Sequence, residues 1–331
     1  MEAELIELLR CLVCHSPLET TEAKYANNRI ESGLLVCKGC SNSYPIVQSV
    51  PRFVSADNYC KNWGLQWNRF RLTQLDSYTG HPISRERFLG STGWSREDLN
   101  MKSVLDVGCG AGRFAEIALS LGAIVTAVDY SSAVDACFQN LKHHPLFNVI
   151  QGDIYNLPFQ CSTFDYIYCL GVIQHTPDVM GSLKALASLL KPGGELVVDV
   201  YLRNWLNFLH PKYWLRPLSV RLSPDKLFSI VERCVPSLLV TSLFIGKIPG
   251  GRYLRRFIPI ANYDGVYPLN NNQLLEWAIL DTYDWLSPRY DQPQTPTSLR
   301  AGLEAAGLEG VQVFRCAHLV GKGQKPVNAS G

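Results

Sequence analysis

The stretch 103-SVLDVGCGAGRFAEIALSLGA-123 decides how this chain is read. Val104 to Val107 form a short apolar run suited to a buried strand, and Gly108, Gly110 and Gly112 follow as G-x-G-x-G. Phe114, Ile117, Ala118 and Leu121 then recur at helical spacing, so strand, glycine loop and helix stand in that order. Asp106 lies inside the strand, two residues ahead of the first glycine. A nicotinamide-dinucleotide fingerprint would carry its third glycine at position 113, where Arg113 stands instead. An acid at 106 suits a ligand with a cationic amino group better than one with a pyrophosphate.

Outward from this unit the pattern repeats. The segment 124-IVTAVDYSSAVDACFQNL-141 reads as a strand ending on Asp129 and then a helix. A third strand in 148-NVIQGDIYNLPF-159 ends at Asp153, a fourth lies in 164-FDYIYCLGVIQHTPD-178, and a turn and fifth strand lie in 190-LKPGGELVVDVY-201. Strands alternating with helices predict an α/β, doubly wound, mostly parallel sheet of seven strands, with the ligand beyond the strands' carboxyl ends. A final helix from about Thr297 and last strands near 311–314 and 318–320 complete it.

This order of motifs resembles the class I S-adenosylmethionine-dependent methyltransferases, in their small-molecule-like branch with an H-x-x-D stretch after strand four. The resemblance covers roughly residues 100–200 and implies a Rossmann-like core with S-adenosyl-L-methionine as cofactor. Carried over by position, it implies that Gly108, Gly110 and Gly112 admit the methionine part and that Asp106 orients its amino group. Asp129 would take the ribose hydroxyls, Asp153 and Ile154 would flank the adenine, and Leu170 and Gly171 would lie near the sulfonium. His175 is the candidate general base, needed only when the acceptor has a proton to lose; a helix-capping or pocket-shaping role is the other reading. The stretch YCLGV after strand four is unlike the motif of exocyclic-amine base methylases, and Cys169 reads as a buried strand thiol rather than a nucleophile.

Ahead of the core, Cys11-x2-Cys14 and Cys37-x2-Cys40 offer two pairs of thiolates separated by 22 residues. Four soft ligands with no open position predict a structural Zn²⁺, and His15 is expected to face solvent. The pattern C-x2-C…L-x-C-x2-C…YPI…VPRF over residues 8–54 resembles zinc-ribbon segments that precede certain methyltransferases. It also resembles the small zinc-ribbon activator that partners tRNA and protein methyltransferases. Of the eleven cysteines, the other seven are scattered, so reduced thiols in the cytoplasm fit better than disulfides.

The expected organisation is a zinc ribbon (1–55), a linker and active-site lid (56–100), the cofactor-binding core (101–202), a basic, aromatic helical cap (203–295) and a returning helix with the last strands (296–331). Within the linker, 61-KNWGLQWNRFRLTQLDS-77 shows no clean helix or strand repeat. It is read as a lid in which Trp67 and Phe70 shield the sulfonium and Gln66 or Gln74 bonds a carboxylate, with packing between ribbon and core as the alternative. Asp284, Trp285, Arg289 and Tyr290 in 281-DTYDWLSPRYD-291 are candidates for the substrate edge of the pocket.

The net charge of +2 hides an asymmetry: residues 201–260 carry ten Lys/Arg against Asp225 and Glu232, a net of +8, leaving −6 for the rest. A basic, aromatic cap admits an acidic small molecule, an anionic membrane surface or single-stranded RNA. No apolar run is expected to span a bilayer, and the start, MEAELIELLR, lacks the order of a signal peptide. The leading expectation is methyl transfer to an oxygen, nitrogen or carbon of a small or lipid-linked, often acidic, acceptor. The second is an RNA base methyltransferase, by resemblance to ribosomal RNA guanine methyltransferases that also carry a ribbon. The third is a non-catalytic, cofactor-binding partner or scaffold of another methyltransferase. Oligomeric state is left open.

Overall fold

The computed structural model describes residues 1–2, 4–26, 29–55, 58–204 and 210–327. Part of the basic, aromatic run that begins at Asn204 therefore lies, at 205–209, outside the described residues. The amino-terminal part comprises helix α1 (Glu4–Leu8) and strands β1 (Leu18–Ala26), β2 (Arg29–Cys37), β3 (Ser43–Val47) and β4 (Val50–Pro51), paired in that order as an antiparallel sheet. Each cysteine pair sits on a tight turn closed by a left-handed residue, His15 at φ 56° and Ser41 at φ 58°. Amide donors point at the sulfurs: Val13 to Cys11 at 3.4 Å, Gly39 and Cys40 to Cys37 at 3.3 and 3.4 Å. All four Sγ atoms lie within 4.8 Å of one another, and a tetrahedral Zn²⁺ with bonds of about 2.3 Å asks for sulfurs ~3.8 Å apart. The donor set therefore fits a structural zinc ion, and His15 is exposed.

The core sheet is built from β5 (Ser103–Val107), β6 (Ile124–Asp129), β7 (Phe147–Gln151), β8 (Phe164–Leu170), β9 (Leu190–Val200), β10 (Glu309–Cys316) and β11 (His318–Gln324), in the order β10-β11-β9-β8-β5-β6-β7. Pairs among β5 to β9 are parallel, while β11 runs antiparallel to both β9 and β10. The order reverses at β5, which opens a crevice at its carboxyl end. Helices α6 (Arg113–Ser120), α7 (Ala133–Leu141), α8 (Val179–Leu189) and α13 (Pro296–Ala305) flank the sheet. Thr295 starts α13 with a capping box to Ser298.

The ribbon docks on the free edge of this sheet. Arg52 bridges Gln151 in parallel register, and the Phe53 amide donates to the Gln151 carbonyl at 2.9 Å. Arg52 also pairs with Asp135. At the other contact, the Arg10 amide donates to the Pro158 carbonyl at 2.9 Å. Leu5, Leu9 and Phe53 join Ile150 and Phe159 in one apolar cluster. An otherwise exposed strand edge is thereby covered.

Between ribbon and core lie helices α2 (Lys61–Arg69), α3 (Asp76–Thr79), α4 (Ile83–Thr92) and α5 (Arg96–Leu99). The stretch without a clean repeat is thus helical from Lys61 to Arg69. Gly64 interrupts its pattern because a Cβ there would meet the Ser132 hydroxyl at 2.2 Å. The cap contributes α9 (Pro211–Ser219), α10 (Pro224–Gly246), α11 (Gly251–Leu254) and α12 (Asn271–Leu286) around an apolar cluster of its own, which includes Phe228, Val231, Leu274 and Tyr283. One expectation is corrected here. Helix α10 runs 23 residues and contains an 18-residue stretch with a mean hydropathy of 1.6, long and apolar enough by composition to cross a membrane. Pro236 does not end it, and about a quarter of its apolar window is buried (28%).

Cys37→Ser is expected to release the bound zinc and to lower the melting temperature by several degrees, roughly the 4–8 °C that about 1 kcal/mol or more removes from a small module. Chelator titration and a thermal melt check this, and unchanged zinc content would refute the four-cysteine site.

Candidate active site

The crevice at the end of β5 is a cavity of about 380 Å³. Its first lobe is walled by the loop after β5 (Gly108 and Gly110), the end of β6 (Asp129), the segment after β7 (Asp153 and Ile154) and the end of β8 (Leu170 and Gly171). The three loop glycines serve different approaches. A Cβ on Gly108 would strike the Val172 side chain at 2.3 Å, and one on Gly110 would lie 3.0 Å from the Trp67 ring. Gly112 faces away from the cavity, where a Cβ would strike Leu141 at 2.7 Å and Cys137 at 3.0 Å, so it lets α6 close on α7.

Asp129 is held by the Gly110 amide at 3.0 Å and by the Ser131 amide and hydroxyl at 2.8 and 2.7 Å. Burial raises its pKa. Asp106 sits just behind, 2% exposed, with Oδ2 unpartnered. Burial pushes this carboxyl up to about 8.

The second lobe belongs to the linker and the cap. Arg113, at the start of α6, donates to Ser84 Oγ at 2.9 Å and to Gln74 Oε1 at 2.7 Å. Gln74 donates in turn to Asp281 Oδ1 at 3.0 Å, and Tyr263 donates to the other oxygen of Asp281. Burial lowers Arg113 to about 10 and raises Asp281 to about 6. Arg87 on α4 pairs with buried Asp199 at 2.7 Å, and Asp199 also accepts from the Gly171 amide. Tyr263, Tyr267 and Trp277 wall this lobe as a group of rings 4.9–5.5 Å apart.

His175 lies in a 3-10 turn (Ile173–His175) after β8 and lines the cavity. Its Nδ1 is 3.0 Å from the Tyr290 carbonyl, which can only accept, so Nδ1 carries the proton and Nε2 keeps its lone pair. That Nε2 is buried with no partner, and burial lowers the imidazole pKa. Trp63 and Tyr201 flank the ring, each 5.5 Å away.

Trp67, Gln74, Asp284 and Trp285 line the cavity along with the core positions other than Asp106, which sits behind it, and Gly112, which faces α7. Four candidates from the linker and cap do not line it either. Gln66 is fully buried beneath α2, and Phe70 packs on Phe228 in the cap. Arg289 stacks on Tyr290, and Tyr290 contributes its carbonyl. Sequence reasoning missed Trp63, Arg87, Tyr201, Tyr263, Tyr267, Trp277 and His318 as lining residues. Arg87 carries no signal in the sequence, because its partner Asp199 lies 112 residues away.

Residues 105–198 match the model of a methyltransferase domain, and residues 2–49 match that of Trm112p-like proteins. The chain carries a methyltransferase domain behind a Trm112p-like ribbon. Among individual proteins it is similar to the ubiquinone biosynthesis O-methyltransferase of Coxiella burnetii, 39% identical over 114 residues that make up 34% of this chain and 49% of that one. The Xanthomonas campestris pv. campestris enzyme described in the same words is 37% identical over 107 residues, 30% of this chain and 44% of that one. The chain thus spans about half the length of the curated relatives it matches. Among solved structures it is similar to human N-acetylserotonin methyltransferase, with a TM-score of 0.46, 16% identity and coverage of 82% of this chain and 60% of that one.

The methyltransferase domain supplies only part of the second lobe, so the contacts between linker and cap hold the rest. Gln74→Leu removes an acceptor from Arg113 and a donor from Asp281, and about 1–3 kcal/mol of stability is expected to go with them. Urea unfolding measures it, and a loss below about 0.5 kcal/mol, small for a buried hydrogen-bonded pair, would show that the relay does not hold the lobe.

Proposed function

We propose that the chain is an S-adenosylmethionine-dependent methyltransferase that methylates a hydroxyl oxygen of a small or lipid-linked acceptor. The observation that carries this reading is the buried, unpartnered Nε2 of His175, a residue that lines the cavity and whose tautomer is set by the Tyr290 carbonyl. A base so placed is needed only for an acceptor that must lose a proton. The O-methyltransferase activity by which the ubiquinone biosynthesis relatives are named supports an oxygen acceptor. Four of the eleven cysteines form the metal-ligand cluster and the other seven are unpaired thiols, which supports a reducing compartment, the cytoplasm.

The first lobe fits the cofactor. The unpartnered Asp106 oxygen suits its amino group, and the Asp129 carboxylate, lining the cavity at the end of β6, suits a ribose hydroxyl. Asp153 and Ile154 stand where the adenine would lie, and Leu170 with Gly171 where the lobes meet. When bound, this cofactor supplies a methyl group on a positively charged sulfur. The chain's own residues do the remainder. Trp67 and the cap rings exclude water, which strengthens every polar contact inside. His175 Nε2 receives the acceptor's proton, and the Tyr290 carbonyl holds the resulting imidazolium through Nδ1.

Because burial lowers the His175 pKa, the base is neutral at pH 7. Turnover is expected to rise with pH through a value below the ordinary imidazole range and then to level off. His175→Gln should lower kcat by about 10²–10⁴ with that rise abolished, while leaving cofactor affinity in place. Unchanged kcat in the variant would assign His175 to shaping the pocket. Asp106→Asn separates cofactor binding from folding. Affinity for S-adenosylhomocysteine should fall about ten-fold or more, with the unliganded protein no less stable, since a buried carboxyl with one unpartnered oxygen gives way to a neutral amide of the same shape. Calorimetric titration and a melt report the two effects, and full affinity in the variant would exclude Asp106 from the cofactor's amino group.

A further inference from the structure

We propose that the end of the cap formed by the second half of α10, α11 and the turn after it is a docking surface for an anionic lipid bilayer. Val240 and Phe244, one helical turn apart on α10, are 68% and 72% exposed. Ile248 continues the stripe past the end of the helix. The chain then doubles back: the Gly251 amide donates to the Ile248 carbonyl at 2.9 Å, and a Cβ on Gly251 would lie 1.7 Å from the Ile245 carbonyl oxygen. This close return sets Tyr253, Leu254 and Phe257 at the same end of the cap, 54–60% exposed. Six large apolar side chains thus stand in water on one short segment, which a soluble surface rarely tolerates.

The charge around them is of one sign. Residues 240–260 contain Lys247, Arg252, Arg255 and Arg256 and no Asp or Glu. Arg255 is paired with Asp264 at 3.3 Å. Arg252 and Arg256 lie over the Tyr253 ring at 4.8 and 5.8 Å. Among the described residues no ion pair neutralises Lys247, Arg252 or Arg256. Apolar side chains ringed by unneutralised cations are complementary to an interface with anionic headgroups outside and hydrocarbon within.

A second copy of this chain is a poor occupant, because a two-fold contact would set the cationic patch against itself. RNA is a poorer one: Phe244, Tyr253 and Phe257 offer rings to stack a base, but Val240, Ile248 and Leu254 would gain nothing from it, whereas hydrocarbon takes up all six. The position also bears on turnover, since the chain runs only from Phe257 to Tyr263 between this surface and the wall of the cavity. The inference stands without the methyl-transfer reading, because binding is measured without cofactor or acceptor.

The test is co-sedimentation of the full chain with vesicles of phosphatidylcholine alone, and of phosphatidylcholine with a quarter phosphatidylglycerol. Binding to the anionic vesicles, weakened by salt, and little to the neutral ones is expected. Phe244→Ser with Phe257→Ser should lower partitioning about ten-fold or more, and Lys247→Glu with Arg252→Glu should abolish the preference for anionic lipid. All four side chains are exposed, so a thermal melt within error of the parent confirms folding. Failure to sediment with anionic vesicles overturns the proposal. So does a single-stranded RNA oligonucleotide that binds the parent and the Phe variant equally while vesicles bind neither. Loss of the exposed patch to a dimer in sedimentation equilibrium, abolished by the same Phe substitutions, would likewise overturn it.

Discussion

The guanidinium of Arg113 is buried at the start of α6 without a carboxylate within ion-pair distance among the described residues. Burial and the neighbouring Arg87 lower its pKa to about 10, which still leaves it charged at neutral pH. A buried cation costs several kcal/mol unless its hydrogens are met. The partners are Ser84 and Gln74 from the linker, and Gln74 is itself tied to Asp281 in the cap. One charge on the core therefore dictates where two otherwise separate segments of chain must sit.

The first lobe follows from a different constraint, the close approach of backbone to neighbour. The glycine loop after β5 is contacted on three sides, by Val172 after β8, by Trp67 from α2 and by α7 through Gly112. All three glycines have φ between 52° and 90°, a region side-chain-bearing residues rarely adopt. The loop is thus shaped by strain relief and packing together, and Asp129 fixes it by accepting from the Gly110 amide. The ribbon contributes from the far side of the sheet. By pairing Arg52 alongside Gln151 it steadies β7, whose end carries Asp153 and Ile154 into the cavity.

What could be read in advance was whatever is local in the chain. Strand, glycine loop and helix at 103–123, acids at the ends of later strands and two cysteine pairs each announce themselves within a few residues. Helix α13 was legible from about Thr297, within a residue of its start at Pro296. Long-range contacts were not legible. Arg87 looks like any surface arginine until Asp199 is brought beside it, and the aromatic wall of Tyr263, Tyr267 and Trp277 is assembled from a turn and a helix. Trp63, Trp67 and Phe70 do stand at i, i+4 and i+7, a helical signal that Gly64 and the polar residues between them obscured. That spacing puts Trp63 and Trp67 on the cavity and turns Gln66 under the helix. The expectation that no apolar run could span a bilayer fails at α10, because a proline is a local break signal in the sequence and the helix passes through Pro236.

Helix α2 touches both lobes, and this determines how they share a ligand. Its Trp67 covers Gly110 in the first lobe, while Trp63 donates to Asp284 at 3.1 Å and Asn62 to Ser287 at 2.9 Å in the cap. Linker and cap are therefore joined to each other directly as well as to the core. A molecule entering the second lobe meets side chains from both, so under the proposed function the acceptor would be selected by their joint surface rather than by the cap alone. The first lobe, by contrast, is drawn mainly from the strand ends of the core. Divergence in cap and linker could then change the acceptor while the residues proposed to hold the cofactor stay as they are.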